Sequence, residues 1–202
     1  LGFIDRFLVT AEAYDIPAGI IFNKLDLFSD EGLEILADYQ GIYTSLGYPC
    51  YQVSAMNHTN IDQIRELLTD KVTLFTGHSG VGKSTLINAI LPDLDLRTGE
   101  VSEWSDKGQH TTTFAEMFAL PFGGFLIDTP GIRELGIIDI EKQELSHFFP
   151  EMRSRMKACR FHNCRHINEP GCAVLEALAE GEIEPSRYDS YLSIYHGNDT
   201  RS

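Results

Sequence analysis

Gly77-His78-Ser79-Gly80-Val81-Gly82-Lys83-Ser84, followed by Thr85, constrains this chain more than any other stretch. It fits the pattern G-x-x-x-x-G-K-[ST], which works only between a strand and a helix. An apolar run, Val72–Phe75, precedes it, and a helical pattern follows from Lys83 to Ile90. Glycine at the bends lets backbone N–H groups turn inward around phosphates, and the helix presents its positive end to them. Lys83 can then reach the β- and γ-phosphates, and the Ser84 hydroxyl can ligate Mg²⁺. A glycine-rich strand-to-helix turn with no ligand is the plainer reading, and the completeness of the pattern argues against it.

The rest of the first two-thirds reads the same way, as short apolar runs alternating with helical patterns. This is the signature of a parallel sheet covered by helices. Phe3, Phe7, Leu8 and Ala11 mark an opening helix. Ala18–Phe22 and Tyr51–Val53 read as strands, and Leu33, Leu36 and Tyr39 lie at helical spacing between them. Asn60 with Gln63 three residues on predicts a capped helix through Ile61, Ile64, Leu67 and Leu68. Residues 92–113 read as a long functional loop, and Phe114–Leu120 with Phe125–Ile127 as a hairpin. From about His147 the pattern turns to short helices around a Cys/His cluster. The expectation is an α/β domain over residues 1–146, a mostly parallel sheet with helices on both faces, and a small, mainly α-helical domain over 147–202.

Asp128-Thr129-Pro130-Gly131 follows an apolar strand about fifty residues beyond the phosphate loop. There the acid can act through the metal's water shell, and Gly131 can offer its N–H to a γ-phosphate. Asp-x-x-Gly alone is a common turn; its place after a phosphate loop gives it meaning. His110-Thr111-Thr112-Thr113 ends the long loop between the two motifs, where a threonine can close over Mg²⁺ and the γ-phosphate. Thr112 is the choice for that ligand and Thr111 the alternative; a β-prone threonine run at a strand edge is the bland reading.

Asn23-Lys24-Leu25-Asp26, at the end of an apolar strand, fits a guanine-reading Asn-Lys-x-Asp motif. The Asp26 carboxylate accepts from the ring N–H and exocyclic amine of guanine, a pair adenine does not offer. Rejecting a base that leaves such groups unpaired is worth on the order of 10⁴-fold. Asn-Lys-x-Asp is also ordinary turn chemistry, so Ser54-Ala55 after the next strand matters: it matches the companion motif, whose backbone meets the guanine oxygen. Both base-reading motifs precede the phosphate loop, the reverse of the usual order, as a circular permutation would place them.

Net charge is −14, and nearly all the excess acid lies in residues 1–146. Such a body does not draw nucleic acid by bulk field. Between Glu151 and Asn168, however, Arg153, Arg155, Lys157, Arg160 and Arg165 face one acid, so any contact is local; a solvated helix face explains them equally well. No apolar run approaches the roughly 20 residues that span a bilayer. Three of the four cysteines fall within fourteen residues. Cys159, Cys164, His166 and Cys172 offer three thiolates and an imidazole, a set suited to structural zinc. His162 competes with His166 less naturally, and Cys50 reads as a buried apolar residue. A reducing cytosol, where a GTPase works, disfavours disulfides and favours the metal.

The permuted order, Gly77–Thr85, His110–Thr113 and the Cys-x₄-Cys-x-His-x₅-Cys knuckle together resemble the RsgA (YjeQ) family of bacterial small-ribosomal-subunit biogenesis GTPases, over essentially the whole chain. The resemblance implies GTP hydrolysis to GDP and phosphate, stimulated by the small subunit during its late maturation. It implies a cytoplasmic location and one bound zinc beside Mg²⁺. It also implies an RNA-contacting OB-fold and one further strand of the sheet ahead of Leu1. With the OB-fold outside this chain, contact with the subunit's rRNA falls to residues 153–165. No membrane partner is expected, and the chain is expected to be a monomer. Gln109 stands before His110 where the family pattern has Arg.

Three competing readings meet specific residues. An ATPase or kinase is opposed by Asp26, and a passive RNA-binding module by the intact Lys83, Ser84 and Asp128. A metal-delivery GTPase is opposed by a closed four-ligand set. Catalysis is informative by omission: Ras-like enzymes place a water-orienting Gln after Asp-x-x-Gly, and here that position is Ile132. His110, beside the switch threonines, is the candidate for that role; capping or packing of the loop is its alternative.

Overall fold

A computed structural model describes residues 2–92, 116–128 and 140–197. Their contacts divide the chain into two compact units. One, the motif unit, comprises Ile20–Asp38 and Cys50–Glu134. The other, the knuckle unit, comprises Leu1–Gly19, Tyr39–Pro49 and Leu135–Ser202.

The motif unit carries strands β1 (Ile20–Phe22), β2 (Cys50–Gln52), β3 (Val72–Phe75), β4 (Glu116–Ala119) and β5 (Phe125–Asp128). β1 and β2 pair in parallel, Ile20 opposite Cys50. A second sheet runs β3-β5-β4, with β3 and β5 parallel and β4 antiparallel to β5. The β4–β5 hairpin expected from the sequence forms around Gly124, whose φ of 87° places it in the left-handed region. A Cβ there would stand 2.3 Å from the Lys71 carbonyl oxygen, so the turn excludes other residues.

Helices α3 (Ile61–Leu68) and α4 (Lys83–Ile90) supply most of this unit's core. Ile61, Ile64 and Leu68, at i, i+3 and i+7, are buried with Leu86, Ile87 and Ile90 against Val53, Leu120 and Leu126. Each such side chain contributes about 1.5–3 kcal/mol on leaving water. Alternation along the strands puts Leu126 in this core. Val72, Leu74, Phe125 and Met117 point the other way and are exposed. Asn60 stands at the start of α3 but does not cap it. With φ 60° its side chain turns away and donates from Nδ2 to the Gln52 carbonyl at 2.8 Å. Binding back to β2 outcompetes the local cap. Cys50 is half-buried on β2.

In the knuckle unit, α1 (Gly2–Ala13) packs against α7 (Pro185–His196) and the turn Leu145–Phe148, and shares an apolar core with α5 (Pro150–Arg153) and α6 (Ala173–Ala179). The grouping therefore departs from the linear division at 146/147, and a charged cluster is the reason. Arg187 is 1% exposed and Asp5 0%. Arg187 donates from Nη1 to Asp5 at 2.6 Å and from Nε to Glu151 at 2.7 Å. Tyr43, on the second part of α2 (Asp30–Ser45), donates to Asp5 at 2.8 Å, and Ser190 does so at 2.5 Å. Buried charge is tolerable only when paired and hydrogen-bonded in this way. Val9, Leu145, Phe149, Met152, Cys172, Val174 and Tyr191 form the apolar core alongside. No helix among the described residues is long and apolar enough to cross a membrane.

Candidate functional site

β1 ends at Phe22 and delivers Asn23 to the turn where the phosphate loop lies. Asn23 Nδ2 donates to the Val81 carbonyl at 3.1 Å and the Gly82 carbonyl at 3.4 Å. Its Oδ1 accepts from the N–H of Lys24 at 2.8 Å and of Ala55 at 3.1 Å. One side chain thus joins both base motifs to the phosphate loop. Gly82 must be glycine: its φ is 89°, and a Cβ there would lie 2.6 Å from Asn23 Nδ2. Lys24 adopts φ 69°, a conformation that costs a non-glycine residue of order 1–3 kcal/mol. It is held by its own ammonium, which donates to the Gly80 carbonyl at 2.6 Å.

Ser54, 1% exposed, donates from Oγ to Asp26 Oδ1. Its Oγ accepts from the Asn57 N–H at 3.2 Å. This two-step relay aims the exposed Asp26 carboxylate, and Oδ2 carries no hydrogen bond among the described residues. The sequence pattern assigned Ser54 only a backbone role, and Asn57 no role. At the other end of the site, the Lys83 ammonium lies on the loop carbonyls of Gly77, at 2.5 Å, and His78, at 2.9 Å. His78, Ser79 and Val81 are exposed, and Ser84 and Thr85 are half-buried at the start of α4. The far end of α4 is capped by Arg65, which donates to the Ala89 carbonyl at 2.7 Å and the Ile90 carbonyl at 3.2 Å. Asp128 closes β5. His110, Thr111, Thr112, Gly131 and Ile132 lie outside the described residues.

The knuckle unit brings Cys159, Cys164, His166 and Cys172 together, with their ligand atoms within 4.8 Å of one another. His166 Nδ1 is 3.3 Å from Cys172 Sγ and 3.7 Å from Cys159 Sγ. His162 is exposed and outside the cluster. Burial pushes the Cys164 thiol up to about 12 and raises Cys172, and burial lowers His166. Such a group holds neutral imidazole and reluctant thiols, whose protons a divalent cation displaces on binding. The donor set and its closeness fit four-coordinate zinc.

Three groups outside the pattern shape this loop. The Glu169 carboxylate accepts from the N–H groups of Arg165, Ile167 and Asn168 at 3.0, 2.9 and 3.1 Å. Tyr188 donates to the His166 carbonyl at 2.7 Å and Tyr191 to the Arg165 carbonyl at 2.6 Å. The basic segment is largely committed within the unit. Arg153 pairs with Glu12 at 2.8 Å, Arg155 with Glu182 at 2.7 Å and Arg165 with Glu169 at 3.5 Å. Lys157 and Arg160 stand exposed.

A phosphate loop clasped by base-reading motifs that precede it in the chain defines a circularly permuted P-loop nucleotide-binding protein. The sequence profile of the RsgA GTPase family matches residues 1–138, and the chain belongs to that family. It is 52% identical over 192 residues to the small ribosomal subunit biogenesis GTPase RsgA of Bacteroides fragilis, covering 95% of this chain and 62% of that protein. The crystal structure of YjeQ from Thermotoga maritima matches with a TM-score of 0.84 at 38% identity, covering all of this chain and 66% of that one. YloQ, described as a circularly permuted GTPase, matches with a TM-score of 0.77 at 34% identity, over all of this chain and 63% of its own. The chain thus spans about three-fifths of the length of the curated relative.

Proposed function

We propose that this chain binds GTP and hydrolyses it to GDP and phosphate, acting with the small ribosomal subunit in its late maturation. One observation carries the reading: the Asn23 side chain bonds Val81, Gly82 and Ala55 at once. These bonds tie Asn23-Lys24-Leu25-Asp26 and Ser54-Ala55 to the Gly77–Ser84 loop, which supports one shared nucleotide site despite the permuted order. Asp26 of the Asn23-Lys24-Leu25-Asp26 motif reads the guanine N–H and amine, and the Ala55 backbone meets its oxygen. The N–H groups of residues 78–85 cradle the phosphates, and Lys83 moves from the loop carbonyls to them. Ser84 and Thr112 hold Mg²⁺, with Asp128 acting through its water shell. When bound, the cation neutralises charge on the β- and γ-phosphate oxygens. Gly131 donates to the γ-phosphate, and His110 orients the attacking water in place of the Gln that Ile132 replaces. As an imidazole, His110 can accept a hydrogen bond from the water. On this reading the isolated chain hydrolyses GTP slowly and the small subunit stimulates it. Cys159, Cys164, His166 and Cys172 hold one structural zinc. Contact with rRNA within 153–165 falls chiefly to Lys157 and Arg160, because their basic neighbours are ion-paired. The chain works as a cytoplasmic monomer.

Asp26→Asn tests the reading by nucleotide competition. GTP affinity should fall on the order of 10²-fold, since the amide cannot accept from both guanine donors. Xanthosine triphosphate, with a carbonyl in place of the amine, should bind better than it does to the parent. Unchanged GTP affinity would mean that these residues do not read the base.

A further inference from the structure

The Asp5–Glu151–Arg187 cluster takes no part in the nucleotide chemistry, and neither do the two tyrosine hydroxyls beneath the knuckle. All of them meet on α7. Arg187 and Ser190 hold Asp5 of α1. Tyr188 and Tyr191, on the same helix, donate to the carbonyls of His166 and Arg165. Apolar packing runs along the same line, with Val9 of α1 and Cys172 in one core cluster. A single helix therefore grips both the first helix of the chain and the loop, Cys164 to Cys172, that presents three of the four ligands.

The geometry points to a metal-dependent interlock of α1: a cation at Cys159, Cys164, His166 and Cys172 fixes α7, and α7 fixes α1 through Asp5. This rests on the zinc reading above. Within the loop from Cys164 to Cys172, only the two donors His166 and Cys172 are buried. Cys159 and Cys164 are half-buried, and His166 sits at φ 57°, a conformation kept only where its surroundings impose it. Once the loop opens, the Tyr188 and Tyr191 hydroxyls lose their acceptors in a setting where unpaired donors are costly. α7 then shifts or frays, and Arg187 moves with it. Asp5 and Glu151 cannot remain buried without their counter-charge. Undocking α1 returns Asp5 to water and relieves that penalty. Because half-paired buried charge has no low-energy arrangement, α1 responds as a unit. The chain enters β1 and the Asn23–Asp26 motif only six residues after α1 ends, so the helix under metal control is the one that leads into the base-reading strand.

Hydrogen exchange on the full chain tests this, with metal content measured on each sample. Chelation should speed exchange in residues 2–13 by about tenfold or more together with 159–172, while α3 changes less than about twofold. Restoring zinc should restore both segments. If α1 keeps its protection while 159–172 has opened, the interlock is wrong. A second arm leaves the ligands in place. Tyr188→Phe with Tyr191→Phe should retain one zinc yet loosen α1 several-fold, and α1 as protected as in the parent would overturn the relay. A purified chain that holds no zinc and takes none up would overturn the zinc reading and the interlock with it. The metal analysis separates that failure from the first.

Discussion

The two units hold their functional residues by opposite means. In the motif unit, charged side chains reach neutral backbone acceptors: Lys24 on Gly80, Lys83 on Gly77 and His78, and Arg65, which also pairs with exposed Asp62, on Ala89 and Ile90. In the knuckle unit, charge meets charge out of water, with Arg187 between Asp5 and Glu151. Each unit also keeps one non-glycine functional residue in the left-handed region, Lys24 at φ 69° and His166 at φ 57°. Lys24 is held by its own side chain, His166 by a neighbouring helix. On the proposed function, the difference follows from what each site would do. A nucleotide cradle stays open to a ligand bearing several negative charges, so its cations rest on weak partners they can leave. A structural metal knuckle stays closed, so permanent pairs can be buried behind it.

The sharpest way to break this comparison is to remove the buried cation. Arg187→Ala strands Asp5 and Glu151 without a counter-charge, and the expected loss is about 3–5 kcal/mol in urea denaturation. The guanidinium also stacks over Phe149, 4.8 Å from the ring centroid, so apolar packing is lost with the charge. A loss below about 1 kcal/mol, the usual worth of an exposed pair, would mean that the knuckle unit is not charge-locked.

The same contrast explains what could be read from the sequence. The convergence of Asn23–Asp26, Ala55 and the Gly77–Ser84 loop was legible because each motif is a contiguous run with fixed spacing. The clustering of Cys159, Cys164, His166 and Cys172 was legible because they lie in one short segment. The parallel strands were legible from their apolar runs, though β2 begins at Cys50 rather than Tyr51. The charge cluster was not legible. Asp5 and Arg187 stand at opposite ends of the chain, and charged residues are almost never fully buried unless paired. In the α1 pattern Asp5 is simply the polar position between Phe3 and Phe7. For the same reason, dividing the chain at 146/147 overlooks the side chains that bind α1 to α7. Asn60 failed differently: the cap pattern is local, and the Gln52 carbonyl that wins its side chain lies on another element.

Glu169 gives a smaller effect whose sign can be worked out. Burial alone would raise its pKa, but the surrounding backbone N–H groups outweigh burial and bring the carboxyl down from 4.5 to about 2. A carboxylate depressed on folding stabilises the fold above its ordinary pKa, and that stability is lost as pH falls from 4.5 toward 2. Glu169→Gln should therefore cost about 1–2 kcal/mol at neutral pH, and the difference from the parent should shrink through that window. Loss of metal on acidification affects both proteins, so it cancels in the difference. A pH-independent difference would reassign Glu169 to packing.

The smallest effect is the one that sharpens the comparison most. Arg65 is the motif unit's closest analogue of Arg187: a guanidinium reaching across 24 and 25 residues to Ala89 and Ile90. Its partners are the orphan carbonyls at the end of α4, and its one acid, Asp62, is exposed. Neutralising the negative end of a helix is worth about 0.3–1 kcal/mol near the surface. Arg65→Ala should therefore cost about 0.5–1 kcal/mol, because the Arg65 side chain is 34% exposed and its bonds to these carbonyls are only part-buried, so water can follow it out. Arg65→Lys should recover part of this, since an ammonium keeps the charge but not the two-pronged geometry. Thermal or urea unfolding of the three proteins measures both steps. A loss above about 2 kcal/mol would mean that charge locks the motif unit too, and that openness to nucleotide does not set how a unit holds its cations.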